Sequence, residues 1–124
     1  LQLEIVNDPN IYCRKIELSQ VLLNLLFNAF DAIEEIKEKW VKITAQEHKQ
    51  YVEICIIDCG PGISPDIADK VFMPFFTTKK VGLGTGIGLS ISQRIVLNHG
   101  GELFYDSSSN NTKFVIRLPF HESL

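Results

Sequence analysis

Asn24 and Asn28 lie four positions apart in a segment with helical apolar spacing, so both amides project to one spot. Short oxygen-bearing side chains aimed together suit a hard cation that keeps some of its waters, such as Mg²⁺. The plain alternative is a solvated helix face, although such a face favours Lys, Glu or Gln over asparagine. Asp58 ends the apolar face Val52, Ile54 and Ile56 of a strand-like run. A carboxylate there is costly unless it finds donors. It can start the turn Asp58-Cys-Gly-Pro-Gly62, or it can accept a hydrogen bond from an amino group such as the exocyclic amine of adenine. The third feature is Gly82-Leu-Gly-Thr-Gly-Ile-Gly88, which leads straight into a helical pattern. Exposed backbone N–H groups and the positive end of a helix make such a junction an anion site open to phosphate. A merely flexible loop is the alternative. No Lys follows these glycines as a Walker A loop requires, and the spacing is not the GxGxxG of a dinucleotide fold. The HRD and DFG signatures of protein kinases are absent from the sequence.

Positioning these groups requires a frame. Leu1 to Val6 alternates weakly and reads as an edge strand, ended by Asn7-Asp-Pro-Asn10. Helical periodicity runs from about Glu17 to Lys39. Leu18, Leu22, Leu25, Leu26, Ala29, Ile33 and Ile36 project to one side, and Glu17, Gln20, Asn24, Asn28, Asp31 and Glu35 form a narrow stripe on the other. Strands follow at Val41–Gln46 and Tyr51–Asp58, joined by a hairpin loop. A short helix at Asp66–Val71 interrupts the Gly- and Pro-rich stretch, and a long one fits Ile87–Asn98, ending on a glycine C-cap at Gly100 and Gly101. Strands Glu102–Tyr105 and Lys113–Leu118 close the chain. This order predicts one α+β domain over residues 1–124: a mixed, mostly antiparallel sheet with helices on one face. The excursion over 59–86, about 28 residues, is long for a compact domain, and its Ile63, Val71, Phe72, Met73, Phe75 and Phe76 favour a lid over disorder.

Composition narrows the function classes. With 124 residues, 45% apolar and 22% charged, the chain has the makings of one globular core. A net charge of −3 offers no general attraction to nucleic acid or to an anionic membrane surface. No apolar run approaches the roughly 18 residues of a spanning helix, and no secretory leader is visible. Numbering that starts at Leu1 suggests a piece of something longer. Cys13, Cys55 and Cys59 form no CxxC and read as reduced packing thiols of a cytoplasmic protein.

Taken together, these segments resemble the ATP-binding catalytic domain of sensor histidine kinases, in the superfamily that also holds gyrase, Hsp90 and MutL. Leu18-Ser-Gln-Val-Leu-Leu-Asn-Leu-Leu-Phe-Asn-Ala-Phe-Asp-Ala32 looks like the family's N box. Asp58-Cys-Gly-Pro-Gly-Ile63 matches the first glycine box, Val71-Phe-Met-Pro-Phe-Phe-Thr-Thr-Lys79 the F box, and Gly82 to Leu89 the second glycine box. His99-Gly-Gly101 and Thr112 to Pro119 fit the last strands. Four boxes in order at this spacing are specific, and they span essentially the whole chain.

The resemblance implies a two-layer α/β sandwich of the Bergerat type, with an ATP lid over about 62–86, and it implies ATP and Mg²⁺ as cofactors. Asn28 would ligate the metal, and Asn24 would support the triphosphate. Asp58 would bind the adenine amine beside Gly60, Gly62 and Thr112. Gly82, Gly84, Gly86 and Gly88 would line the phosphates. The lid would hinge on Phe72, Phe75 and Phe76, and Lys79 or Lys80 would reach the γ-phosphate, the work a cation does in phosphoryl transfer. The same matching carries Asp31, Ile63, Thr77, Thr78, Leu83, Thr85, Ile87 and Leu89 into the nucleotide site. Two departures stand out: Asp31 where many sensor kinases have lysine, and Asn111 where a glycine is common.

In the superfamily's ATPases a glutamate one turn before the magnesium asparagine activates water. Asn24 occupies that position and cannot act as a base at neutral pH, so weak hydrolysis and an acceptor other than water are expected. In histidine kinases that acceptor is a histidine on a separate helical domain, followed by a response regulator. None of His48, His99 and His121 combines the acidic neighbour with the following proline of such a site, so a phosphoacceptor domain outside this chain is expected as the partner, with this unit monomeric and without nucleic-acid or membrane contact. A partner-switching serine kinase and a conformational ATPase are the other readings.

Overall fold

Strands β1 (Gln2–Val6), β2 (Val41–Glu47), β3 (Tyr51–Asp58), β4 (Glu102–Tyr105) and β5 (Lys113–Pro119) form one sheet in the order β1-β2-β3-β5-β4. This is a computed structural model, and it describes residues 2–6, 15–74 and 88–119. β1 runs parallel to β2 at one edge, and every other pairing is antiparallel. A parallel neighbour needs a crossover, and helix α1 (Lys15–Ala32) lies in that connection. Helix α3 (Gly88–Asn98) packs beside α1, and the short α2 (Pro65–Ala68) follows the turn after β3. The mixed, mostly antiparallel sheet with helices over one face is the architecture the sequence predicts.

The core lies between α1 and the sheet face bearing Val52, Ile54 and Ile56. Register sets cross-strand rows on that face: Ile43, Ile56, Phe114 and Tyr105 line up across four strands. Each fully buried aliphatic side chain contributes about 1.5–3 kcal/mol over leaving it exposed. Among the described residues, no helix is long and apolar enough to cross a membrane. On the opposite sheet face, burial pushes the Cys55 thiol up from its ordinary range, against the lowering effects of Thr44 and Lys113. Cys55 and Cys59 are free thiols, as expected, and Cys13 lies outside the described residues.

Two helices end earlier than expected. α1 stops at Ala32, not Lys39, although Ile33 stays buried and Ile36 packs against the core. Bonds from Glu34 N to the Asp31 carbonyl (3.4 Å) and Ile36 N to the Ile33 carbonyl (2.9 Å) form tight turns there. Ile33 and Ile36 are three apart, which suits such a turn as well as a helix, so periodicity alone could not tell them apart. The acidic Asp31, Glu34 and Glu35 also oppose extension, because negative charge is unfavourable at a helix C-terminus. The second short helix begins at Pro65, one residue early, where Ser64 Oγ accepts from Asp66 N (3.3 Å). It is only four residues long because turns take over at Asp69.

The buried line of α1 is Val21, Leu25, Ala29 and on to Ile33. Val21 is not part of the expected stripe, and Leu18, Leu22 and Leu26 flank the line half-buried. The far side is not purely polar: Ile16, Leu23, Phe27 and Phe30 stand exposed next to the asparagine stripe. α3 ends as predicted. Gly101 N donates to the Val96 carbonyl (3.0 Å) and Gly100 N to the Leu97 carbonyl (2.9 Å), a Schellman motif with Gly100 at φ 78°.

Candidate functional site

The turn from Asp58 to Ile63 is fastened at every backbone N–H it owns. Asp58 N donates to the Thr112 carbonyl (3.0 Å) and Cys59 N to the Trp40 carbonyl (3.2 Å). Gly60 N donates to Asp58 Oδ1 (2.7 Å), Gly62 N to Thr112 Oγ1 (3.1 Å) and Ile63 N to Tyr105 Oη (2.8 Å). Pro61, the remaining residue, has no N–H. The Gly60 carbonyl accepts from Thr112 N (3.2 Å) and from Asn111 Nδ2 (3.3 Å). Asn111 thus does with its side chain something a glycine there could not.

Glycine is required twice in this turn. Gly62 sits at φ 95°, which L side chains rarely adopt. A Cβ on Gly60 would lie 2.7 Å from Asp58 Oδ1 and 3.0 Å from Thr112 Oγ1, displacing the carboxylate. Asp58 is only 3% exposed and Thr112 7%. Burial holds the Asp58 carboxyl above the ordinary range, offset in part by the Gly60 N–H and the Thr112 hydroxyl. Asp58 thus fills the turn-organising role, and, since a carboxylate offers about four lone-pair sites, it has acceptor capacity beyond the bonds that fasten the turn.

A second group of residues meets across the helices. Asn24 Nδ2 donates to Ser92 Oγ (3.2 Å), and Ser92 is fully buried in α3. Its amide nitrogen engaged, Asn24 keeps its oxygen, and Asn28 lies half-buried one turn on. Ser92 is one turn from Gly88, the first described residue of α3, where an added Cβ would meet nothing within 4 Å among the described residues. The tie therefore sets the asparagine stripe beside the first turn of α3. Ser92→Ala is expected to cost about 1 kcal/mol, the worth of one such bond, checked by urea unfolding.

Ile63 and Leu89 are half-buried and pack on the core, whereas Asp31 is exposed at the end of the stripe. Phe75, Thr77, Thr78, Lys79, Lys80, Gly82, Leu83, Gly84, Thr85, Gly86 and Ile87 lie outside the described residues. Among the histidines, His99 Nδ1 donates to the Ile95 carbonyl (2.8 Å) with Nε2 3.8 Å from Glu17. His48 stacks on Tyr51 with ring centroids 4.6 Å apart. Both serve local structure; His121 is outside the described residues. Sequence reasoning missed Ser92, Tyr105 and the Asn111 amide. No local signal marks them, because their partners lie 68, 42 and 51 positions away.

The donor set fits Mg-ATP. Among the described residues, two asparagines without a carboxylate cage suit a cation that brings water and phosphate oxygens as its other ligands. A buried acceptor wall and a helix start suit a base and its phosphates.

Comparison with known proteins gives the family. Residues 13–122 match the family model described as histidine kinase-, DNA gyrase B- and HSP90-like ATPase. The C4-dicarboxylate transport sensor protein DctB of Rhizobium meliloti is 38% identical over 84% of this chain and 16% of its own length. The nucleotide-free catalytic domain of histidine kinase ThkA superposes with a TM-score of 0.82 at 34% identity, covering 94% of this chain and 77% of that one. ThkA in complex with the response regulator protein TrrA gives 0.79 at 29% identity, covering 96% and 33%. The chain spans only 12% to 16% of the first curated relatives it matches.

Proposed function

Since the chain belongs to the family of histidine kinase-, DNA gyrase B- and HSP90-like ATPases, we propose that it binds Mg-ATP and supplies the γ-phosphoryl group to a histidine on a separate helical domain of a two-component sensor. The observation that carries this reading is the Asn24–Ser92 bond, which brings a metal-suited stripe to an anion-suited helix end. Asp58 accepts from the adenine amine, and Thr112 supports it from the residue before β5. The first N–H groups of α3 face the phosphates. Asn28, helped by Asn24, would hold the metal, which when bound supplies charge neutralisation on the phosphate oxygens. Asn24 offers no base for water, and this favours transfer over hydrolysis. Lys79 is proposed as the cation on the γ-phosphate.

A site of this kind needs its acceptor brought to it. The complex of ThkA with TrrA supports a response regulator as the eventual recipient. ATP as the phosphoryl source sets the domain on the cytoplasmic side, whatever anchors its parent. The test mixes this chain with a helical phosphoacceptor domain in trans and γ-labelled ATP. Acid-labile, base-stable label on histidine of the added domain is the expected result. Label on a serine of a protein partner, or rapid phosphate release without label transfer, would replace this reading with the serine-kinase or the conformational-ATPase one.

A further inference from the structure

We propose that Tyr105 is a positioning residue for nucleotide binding: its hydroxyl fixes the Gly62–Ile63 peptide and so holds the wall that carries Asp58 in its binding geometry. The proposal rests on the reading of that wall as the nucleotide site. Tyr105 Oη accepts from Ile63 N at 2.8 Å, across 42 residues of chain. The same oxygen lies 3.0 Å from where a Gly62 Cβ would stand, so it also packs against the turn at its positive-φ residue. Of the turn's three side-chain acceptors, Asp58 and Thr112 belong to the wall itself, and Tyr105 alone reaches it from β4.

The tyrosine is itself held firmly. Its ring tilts against Phe114 at 5.6 Å, and Phe114 meets Phe72 edge-on at 5.9 Å. Phe114 is buried in the core row opposite Ile56. A hydroxyl on a ring so supported is a rigid peg, and rigidity is what a binding wall gains from its surroundings. Without it the Ile63 N–H turns to water and the Gly62 hinge, free in φ, relaxes. The Asp58 and Thr112 contacts to the turn then average over several arrangements, and only some of them suit the base.

The test is Tyr105→Phe, which keeps the ring and removes only the peg. By calorimetry, Mg-ATP and ADP are both expected to bind about 5- to 10-fold more weakly. Equal loss is the signature, because the wall touches the part the two nucleotides share. Amide exchange read by NMR is expected to show the Ile63 N–H protected in the native protein and deprotected in the variant, with the β3 and β5 amides unchanged. Unchanged affinity, an Ile63 amide already unprotected in the native protein, or a uniform loss of protection across the sheet each overturns the proposal. Asp58→Asn separates the two levels. If Asp58→Asn weakens binding and Tyr105→Phe does not, the positioning role alone falls. If Asp58→Asn also leaves binding unchanged, the nucleotide reading of the wall falls with it.

Discussion

Asn28→Ala is expected to lower Mg-ATP affinity by at least about 100-fold while leaving the fold intact. Loss of an outer partner of a metal ligand typically costs 10- to 100-fold in metal affinity, so loss of a direct ligand sits at or beyond the upper end. The fold is spared for reasons specific to the position. Asn28 lies on the stripe beside the core line, not in it, and its helical neighbours Leu25 and Ala29 carry the burial. Alanine is the best helix former, so α1 gains a few tenths of a kcal/mol. Titration calorimetry with Mg-ATP, paired with a thermal unfolding curve, checks both halves. Unchanged affinity would sink the metal assignment, and a collapsed fold would show that the stripe is structural.

Asp58→Asn is expected to act in opposite directions on binding and stability. The amide keeps an oxygen for the Gly60 N–H but presents a donor where adenine also presents one. Losing a charged hydrogen bond and leaving a donor unpaired amounts to about 3 kcal/mol, on the order of 100-fold in affinity. Stability moves the other way. Burial raises the native carboxyl pKa above its ordinary value of 3.8, so ionising Asp58 costs more in the fold than in the unfolded chain. Its stabilising contribution is complete below the ordinary value and is lost as pH rises through the raised native one. The variant has no such loss. Its unfolding midpoint should exceed the parent's at pH 7, and the difference should close as the pH falls through the carboxylate range. A variant less stable at pH 7 would mean that the carboxylate's donors outweigh its burial.

Much of this site is legible in the amino-acid sequence alone. Asn24 and Asn28 carry helical spacing, Asp58 ends an apolar strand face, and Gly100-Gly101 cap a helix; each signal lies within one element, where periodicity works. What escapes is contact between elements. Ser92 sits among ordinary helix residues, and only the packing of α3 on α1 gives it Asn24. Tyr105 alternates like any strand residue, and only the register that aligns it with Phe114 and Ile56 brings its hydroxyl to the turn. The end of α1 escapes for another reason, since Ile33 and Ile36 satisfy a helix and a tight turn equally. Asn111, a departure from the family pattern, donates its amide to the very turn that Asp58 begins.

The order of strands bears on how the protein comes into being. β5, which follows β4 in sequence, lies between β3 and β4 and bonds to both. During synthesis the asparagine stripe and the Asp58 strand emerge first, yet Thr112 and the Tyr105–Phe114 ring contact arrive only with β4 and β5. Long-range pairing of this kind is slow to nucleate. A nascent chain halted before β5 would therefore display β3 with an open edge and an incompletely fastened wall, a species prone to association. The wall is therefore complete only once β5 has paired with both β3 and β4.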